Sequence, residues 1–186
     1  MNIQDSIHHV RSARRILVLG SSGSGKTTLT LRLARALNIE PIHLDARFWR
    51  PGWVSTPQSE WREVVRGLIR QESWIMDGTY ESTLDLRIPA ADAAIVLERS
   101  RLTCLWNVLQ RKASIDDDSR PDAPAGQKLD LAFLRYIWNY PKVTRPFVFD
   151  CIQQYGQDKP LIPIRGAGEA ERFIQAVEQE LPVPPT

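Results

Sequence analysis

Residues 20–27 read Gly-Ser-Ser-Gly-Ser-Gly-Lys-Thr, so Gly20, Gly25, Lys26 and Thr27 satisfy the spacing G-x-x-x-x-G-K-[ST]. Residues of these types in this order hold phosphate. Glycines let backbone N–H groups turn inward around a phosphate chain, and a helix starting behind them adds the partial positive charge of its N-terminus. Lys26 reaches the β and γ phosphates, and the Thr27 hydroxyl is offered to magnesium. Gly23, Ser24 and Thr28 complete the expected cradle for ATP or GTP. The competing reading is a Gly-Ser-rich turn that only caps a helix. At typical residue frequencies the four fixed positions coincide by chance at about three in 100,000 sites, which weighs against it.

Phosphoryl transfer also needs acidic groups beside the metal and the acceptor, and positive charge around the transferring group. Asp45 and Asp77 each follow a short apolar run, which places them at the carboxyl ends of strands, where ligands bind in open α/β sheets. Asp77 is expected to hold the magnesium hydration shell directly or through water, or else to serve the turn before Gly78. Asp45 is expected to accept the proton of an acceptor hydroxyl or to orient that acceptor, with helix capping as the alternative. Arg111, Arg120 and Arg145 could each close over the phosphates. Arg111 and Arg120 are assigned to catalysis, Arg120 first because it lies in a long polar segment, and Arg145 to the acceptor. Arg47 and Arg87 are candidates to bind an acceptor phosphate bidentately. If both do, the acceptor is a nucleotide rather than a nucleoside or a sugar. Trp49 and Trp53 flank a turn just after Asp45 and either stack on the acceptor or pack the loop locally.

These residues need elements to position them. Arg15 to Leu19 is a continuous apolar run ending at Gly20, the pattern of a strand covered on both faces. Leu29, Leu33 and Leu37 then recur at helical spacing. Pro41–Asp45 is a second strand, residues 48–53 a loop, and Thr56 the N-cap of a helix with Pro57 at its first position, running to about Gln71. Trp74–Met76 and Ala93–Leu97 are strands, residues 102–113 a helix, and residues 114–128 a polar, Asp- and Pro-rich lid. Leu129 to about Tyr155 is helical with kinks at Pro141 and Pro146, residues 159–164 form a last strand, and residues 169–181 a last helix. Strands alternate with helices, the pattern of an α/β protein with a parallel sheet.

The whole span from Ile16 to about Ile164 resembles the adenylate-kinase-like P-loop proteins catalogued as DNA topology modulation proteins. The resemblance rests on residues 20–27, on Leu44-Asp45 with Phe48-Trp49-Arg50-Pro51-Gly52-Trp53, and on Trp74-Ile75-Met76-Asp77-Gly78-Thr79-Tyr80. Ala91-Asp92, Arg120-Pro121-Asp122, Trp138-Asn139-Tyr140-Pro141 and Arg145-Pro146 extend it. It implies a three-layer P-loop fold with a five-stranded parallel sheet, a mobile lid and a nucleotide-kinase style of site. Two features depart from the pattern. Such proteins continue the fourth strand into Leu-Asp-x-Pro-Arg, where this chain has Leu97-Glu98-Arg99-Ser100-Arg101, and Asp116-Asp117-Asp118 would repel phosphate if the lid closed fully inward.

The 186 residues suffice for one domain, expected over 14–181, with residues 1–13 a flexible arm carrying His8 and His9 and residues 182–186 a tail. Net charge is only +2, from 24 basic and 22 acidic residues, and there is no basic stripe, so DNA is not expected as a direct ligand. Cys104 and Cys151 are too far apart for a CxxC pair, no apolar run approaches the length of a membrane span, and the N-terminus does not read as a secretory signal, which together suit the cytoplasm. The expected function is an ATP-dependent phosphotransferase acting on a small acceptor such as a nucleoside monophosphate. A nucleotide-binding regulatory ATPase acting through a partner or DNA, and a scaffold that keeps only the P-loop, are the alternatives.

Overall fold

The computed structural model describes residues 2–113 and 129–179. The expected lid at 114–128, with Arg120 and Asp116 to Asp118, therefore lies outside the described residues, as does the tail.

Five strands form one parallel sheet in the order β2 (Pro41–His43), β5 (Trp74–Asp77), β1 (Arg15–Gly20), β6 (Ala93–Glu98), β7 (Leu161–Arg165). β1 is central, which is why its sequence is apolar without alternation: Ile16 and Val18 feed one core layer, Leu17 and Leu19 the other. The first layer is closed by α1 (Ile3–Ser12), α2 (Lys26–Leu37) and α9 (Gly166–Gln179). The second is closed by α4 (Gln58–Leu68), α5 (Leu84–Ala90) and α8 (Thr144–Tyr155). A small third cluster joins α6 (Arg101–Ala113) to α7 (Leu131–Asn139) through Cys104, Val108 and Ile137. The expected α/β fold with a five-stranded parallel sheet is thus observed.

Several local expectations are corrected. Residues 3–12 are not a flexible arm but α1. Asn2 caps it by accepting from Asp5 N at 2.9 Å, Ile7 and Val10 are buried, and Arg11 donates to Val177 O at 3.1 Å. The apolar stripe of α1 is only two residues deep, too short to stand out from a polar sequence. β2 stops at His43, and Asp45 lies in the first turn of the short helix α3 (Leu44–Phe48). The expected loop after it is a small antiparallel hairpin of β3 (Trp49–Arg50) and β4 (Val54–Ser55). Thr56 does not cap α4; its hydroxyl donates to Phe48 O at 2.6 Å and ties the hairpin down, leaving Pro57 at the cap. The long helix expected from Leu129 is two helices broken at residues 140–143. Pro141 lies in the break, whereas Pro146 is accommodated in the first turn of α8, where a missing N–H costs no helical bond.

Candidate active site

The central strand delivers the chain to residues 20–27, and α2 leads it away. Gly23 has φ 78°, and a Cβ there would stand 2.3 Å from Cys104 O, so the loop lies directly against the backbone of α6. Asn107 Nδ2 fastens the same contact by donating to Gly23 O at 2.8 Å. Gly25 caps α2 from the left-handed region at φ 93° and brings no side chain to bond the first-turn amides. Those amides carry the partial positive charge of a helix N-terminus. Lys26 leaves the first turn and its Nζ donates to Ser21 O at 2.9 Å. Burial pushes its pKa below the ordinary lysine value; Asp45 and Asp77 pull it back up, and the like charge of Arg111 lowers it further. Asp45, Asp77 and Arg111 are thus all close enough to Lys26 to act on it electrostatically.

Parallel pairing sets His43 of β2 opposite Asp77 of β5, and His43 Nδ1 meets Asp77 Oδ2 at 2.9 Å, both side chains buried. After Asp77 the chain turns at Gly78 and is held at three points. The Thr79 hydroxyl donates to Gly20 O at 2.9 Å and accepts from Gly20 N at 3.3 Å, joining this turn to the P-loop. The Tyr80 hydroxyl donates to Asp45 Oδ1 at 2.6 Å. Burial first, and then the neighbouring carboxylate, push the Tyr80 phenol far up, so it is a donor throughout the working pH range. Arg87, fully buried, donates to Gly78 O and Tyr80 O at 2.9 Å each, to Thr79 O, and to Thr83 Oγ1 at 3.1 Å. Burial pushes this guanidinium down to about 9, with Tyr80 and Asp85 pulling in the opposite direction.

One cavity of about 570 Å3 opens between these pieces. Gly20, Ser22 and Lys26 form its phosphate end, and Asp45, Thr79 and Tyr80 one wall. Trp49 and Trp53 of the hairpin, with Phe133 and Tyr136 of α7, add an aromatic lining. The two indoles also pack on each other, with ring centroids 5.3 Å apart, as the local-packing reading of the loop expects.

No protein-family model matches the sequence. Solved structures do. Shikimate kinase from Acinetobacter baumannii, in complex with shikimate, superposes with a TM-score of 0.60 over 93% of this chain and 95% of its own, at 14% identity. Shikimate kinase from Bacteroides thetaiotaomicron gives 0.55 over 90% and 98%, at 15% identity. A putative kinase from Chloroflexus aurantiacus gives 0.50 over 91% and 100%, at 16% identity. The chain has the P-loop kinase fold. At these identities the likeness establishes architecture, which is the part of the sequence resemblance that the comparisons reach.

Within that kinase fold the sequence-derived residues separate into two groups. Gly20, Gly23, Ser24, Gly25, Lys26 and Thr27 lie together between the end of β1 and the first turn of α2, while Thr28 is turned to the surface. Asp45 lines the cavity, Asp77 is buried at its rim beside His43, and Arg111 sits within electrostatic reach of Lys26. The acceptor-side arginines do not converge. Arg87 is consumed by the carbonyls of residues 78–80, Arg47 is exposed on α3 outside the cavity lining, and Arg145 is paired with Glu98 and stacked on Phe149. Glu98 also accepts from Arg165 at 3.0 Å, so the glutamate that departs from the family pattern is an ion-pair hub joining β6 to α8 and β7. Sequence reasoning missed His43, Thr79 and Tyr80 as site residues. The one available signal was their place at, or just after, the carboxyl ends of β2 and β5.

The residues present fit a nucleotide with its metal: a glycine cradle that a Cβ would fill, an α2 N-terminus without a side-chain cap, and a hydroxyl at Thr27 on the first turn. Among the described residues no cluster of three His, Cys, Asp or Glu side chains could hold a metal by itself. Also among them, no helix is long and apolar enough to cross a membrane.

Proposed function

We propose that this chain is an ATP-dependent phosphotransferase that moves the γ-phosphoryl group to a hydroxyl of a small acceptor. The observation that supports the reading best is that Lys26 of the P-loop and the Asp45–Tyr80 pair line a single cavity of small-molecule size. The P-loop amides and Lys26 hold and neutralise the phosphates, and Arg111 adds charge from α6. Magnesium, held by Thr27 and, directly or through water, by Asp77, would screen the phosphate oxygens. His43 fixes the orientation of Asp77. Asp45 takes the acceptor's hydroxyl proton while the acceptor oxygen bonds to the γ-phosphorus and the bond to the ADP oxygen breaks, and Tyr80 keeps the carboxylate turned toward that hydroxyl. The buried, unpaired Cys104 and Cys151 suit a reducing, cytoplasmic setting.

ADP release should be followed with magnesium and ATP against a panel of nucleosides, nucleoside monophosphates, sugars and duplex DNA, for wild type and Lys26→Ala. Stimulation by a small molecule in the wild type alone is expected. A second reading, a nucleotide-switched protein acting through a partner, draws on the exposed Leu102, Trp106 and Leu109 of α6, the helix that grips Gly23. The finer resemblance to topology modulation proteins belongs with that reading. Turnover raised by DNA and indifferent to every small molecule would favour it over the kinase.

A further inference from the structure

The charges around the cavity are lopsided. Among the described residues that line it, Lys26 is the one cation, and it belongs to the phosphate end. Away from the P-loop the charged lining among the described residues consists of the carboxylates Asp45, Glu81 and Asp130. Four arginines are engaged elsewhere: Arg87 with backbone carbonyls, Arg62 with Asp85, Arg50 with Glu60 and Arg145 with Glu98. A phosphate or carboxylate on the acceptor would meet no cation among the described lining residues beyond Lys26, and would lie beside like charge, where every anion–anion contact is repulsive. The remaining lining is aromatic: Trp49, Trp53, Phe133 and Tyr136 present rings, which favour flat or cationic groups through stacking and cation–π attraction.

Taking the phosphotransferase reading as its basis, we infer that the acceptor carries no negative charge: it is an uncharged or cationic alcohol with a flat ring, and nucleotides are excluded from the acceptor end. The hydroxyl meets Asp45 and the ring meets the hairpin indoles. The expectation of a nucleoside monophosphate depended on Arg47 and Arg87 reaching an acceptor phosphate, and the buried Arg87 is not available to do so.

The test uses pairs of compounds that differ in charge at one end: adenosine and adenosine 5′-monophosphate, deoxycytidine and its 5′-monophosphate, and tyramine and 3-(4-hydroxyphenyl)propionate. Binding is followed by tryptophan fluorescence with magnesium and a non-hydrolysable ATP analogue in place, and ADP release is measured in parallel with ATP. Within at least one pair the member without negative charge should bind at least about tenfold more tightly, a difference of about 1.4 kcal/mol. Glu81→Lys should shift that ratio toward the anion by a similar factor. Tighter binding of the anionic members, no binding by any member, or a ratio indifferent to Glu81→Lys would each overturn the inference. ADP release stimulated by the monophosphates would overturn it while leaving the phosphotransferase intact. ADP release that no compound stimulates, with the binding preference present, would instead remove the phosphotransferase and keep the charge assignment.

Discussion

Gly23→Ala should damage the protein more than a single methyl group would suggest. The new Cβ would stand 2.3 Å from Cys104 O and 3.0 Å from both Cys104 C and Val108 Cγ2. The first distance is about 1.1 Å short of an ordinary 3.4 Å contact, and the obstacle is helix backbone rather than a side chain that could swing away. Either α6 or the P-loop must move by about 1 Å, and overpacking of this kind costs about 1–3 kcal/mol. Holding alanine at φ 78° adds about 1–2 kcal/mol. The sum is about 2–5 kcal/mol, and at about 2–4 °C per kcal/mol the melting temperature should fall by roughly 4–20 °C. Gly166→Ala is the internal control. Gly166 has the same φ of 78° with nothing within 4 Å among the described residues, so it carries the backbone cost without the collision. Differential scanning calorimetry of the two variants isolates the steric part, and an ATP titration reads the displaced cradle as an affinity loss of about tenfold or more. If Gly23→Ala melts within 2 °C of Gly166→Ala and binds ATP like wild type, the close approach of the P-loop to α6 is not a real constraint.

Tyr80→Phe removes the 2.6 Å bond to Asp45, of a class worth about 1.5–3 kcal/mol, and should lower kcat at least about tenfold with ATP affinity unchanged; a kcat within twofold of wild type would take Tyr80 out of the site. Arg87→Met strands the acceptors of residues 78–80 and Thr83 and should cost at least about 3 kcal/mol in urea unfolding, with Arg87→Lys recovering part of the loss. Burial pushes the Glu98 carboxyl up, but the bonds from Arg145 and Arg165 outweigh it, and its folded pKa ends below the ordinary 4.5. Its stabilising contribution is therefore full above pH 4.5 and is lost as pH falls through the lowered value. The difference in melting temperature between wild type and Glu98→Gln should be constant near neutrality and shrink below pH 4.5; a difference that persists to pH 3 would mean the ion pairs contribute nothing.

What was legible in the sequence was local. Residues 20–27 declare themselves because eight consecutive positions do one job, and β1, β5 and β6 because a strand buried on both faces must be apolar throughout. The site's acidic residues were found by the rule that function gathers at strand ends, even though Asp45 proved to lie one turn into a helix. The arginines were less legible because a guanidinium looks the same in sequence whether it faces a ligand or a carbonyl. Arg87 differs from Arg111 only in what the fold brings to it, and three of its partners are backbone oxygens that have no letter in the sequence. α5 escaped for a related reason: seven residues with Pro89 inside leave no periodicity to read, and its existence depends on packing against α8.

The docking of α1 on α9 bears on how the molecule is made. Arg11 and Val177 are 166 residues apart in the chain, yet their contact and the burial of Val10 belong to the same layer as the central strand. As the polypeptide leaves the ribosome, that apolar stripe has no lasting cover until α9 emerges, after every strand of the sheet has been synthesised. Vectorial folding can prepare the sheet and the phosphate loop, but it cannot seal that layer early. Ile7 and Val10 therefore stay without the cover of α9 while all the residues between the two helices are made, an interval in which exposed apolar surface favours wrong contacts.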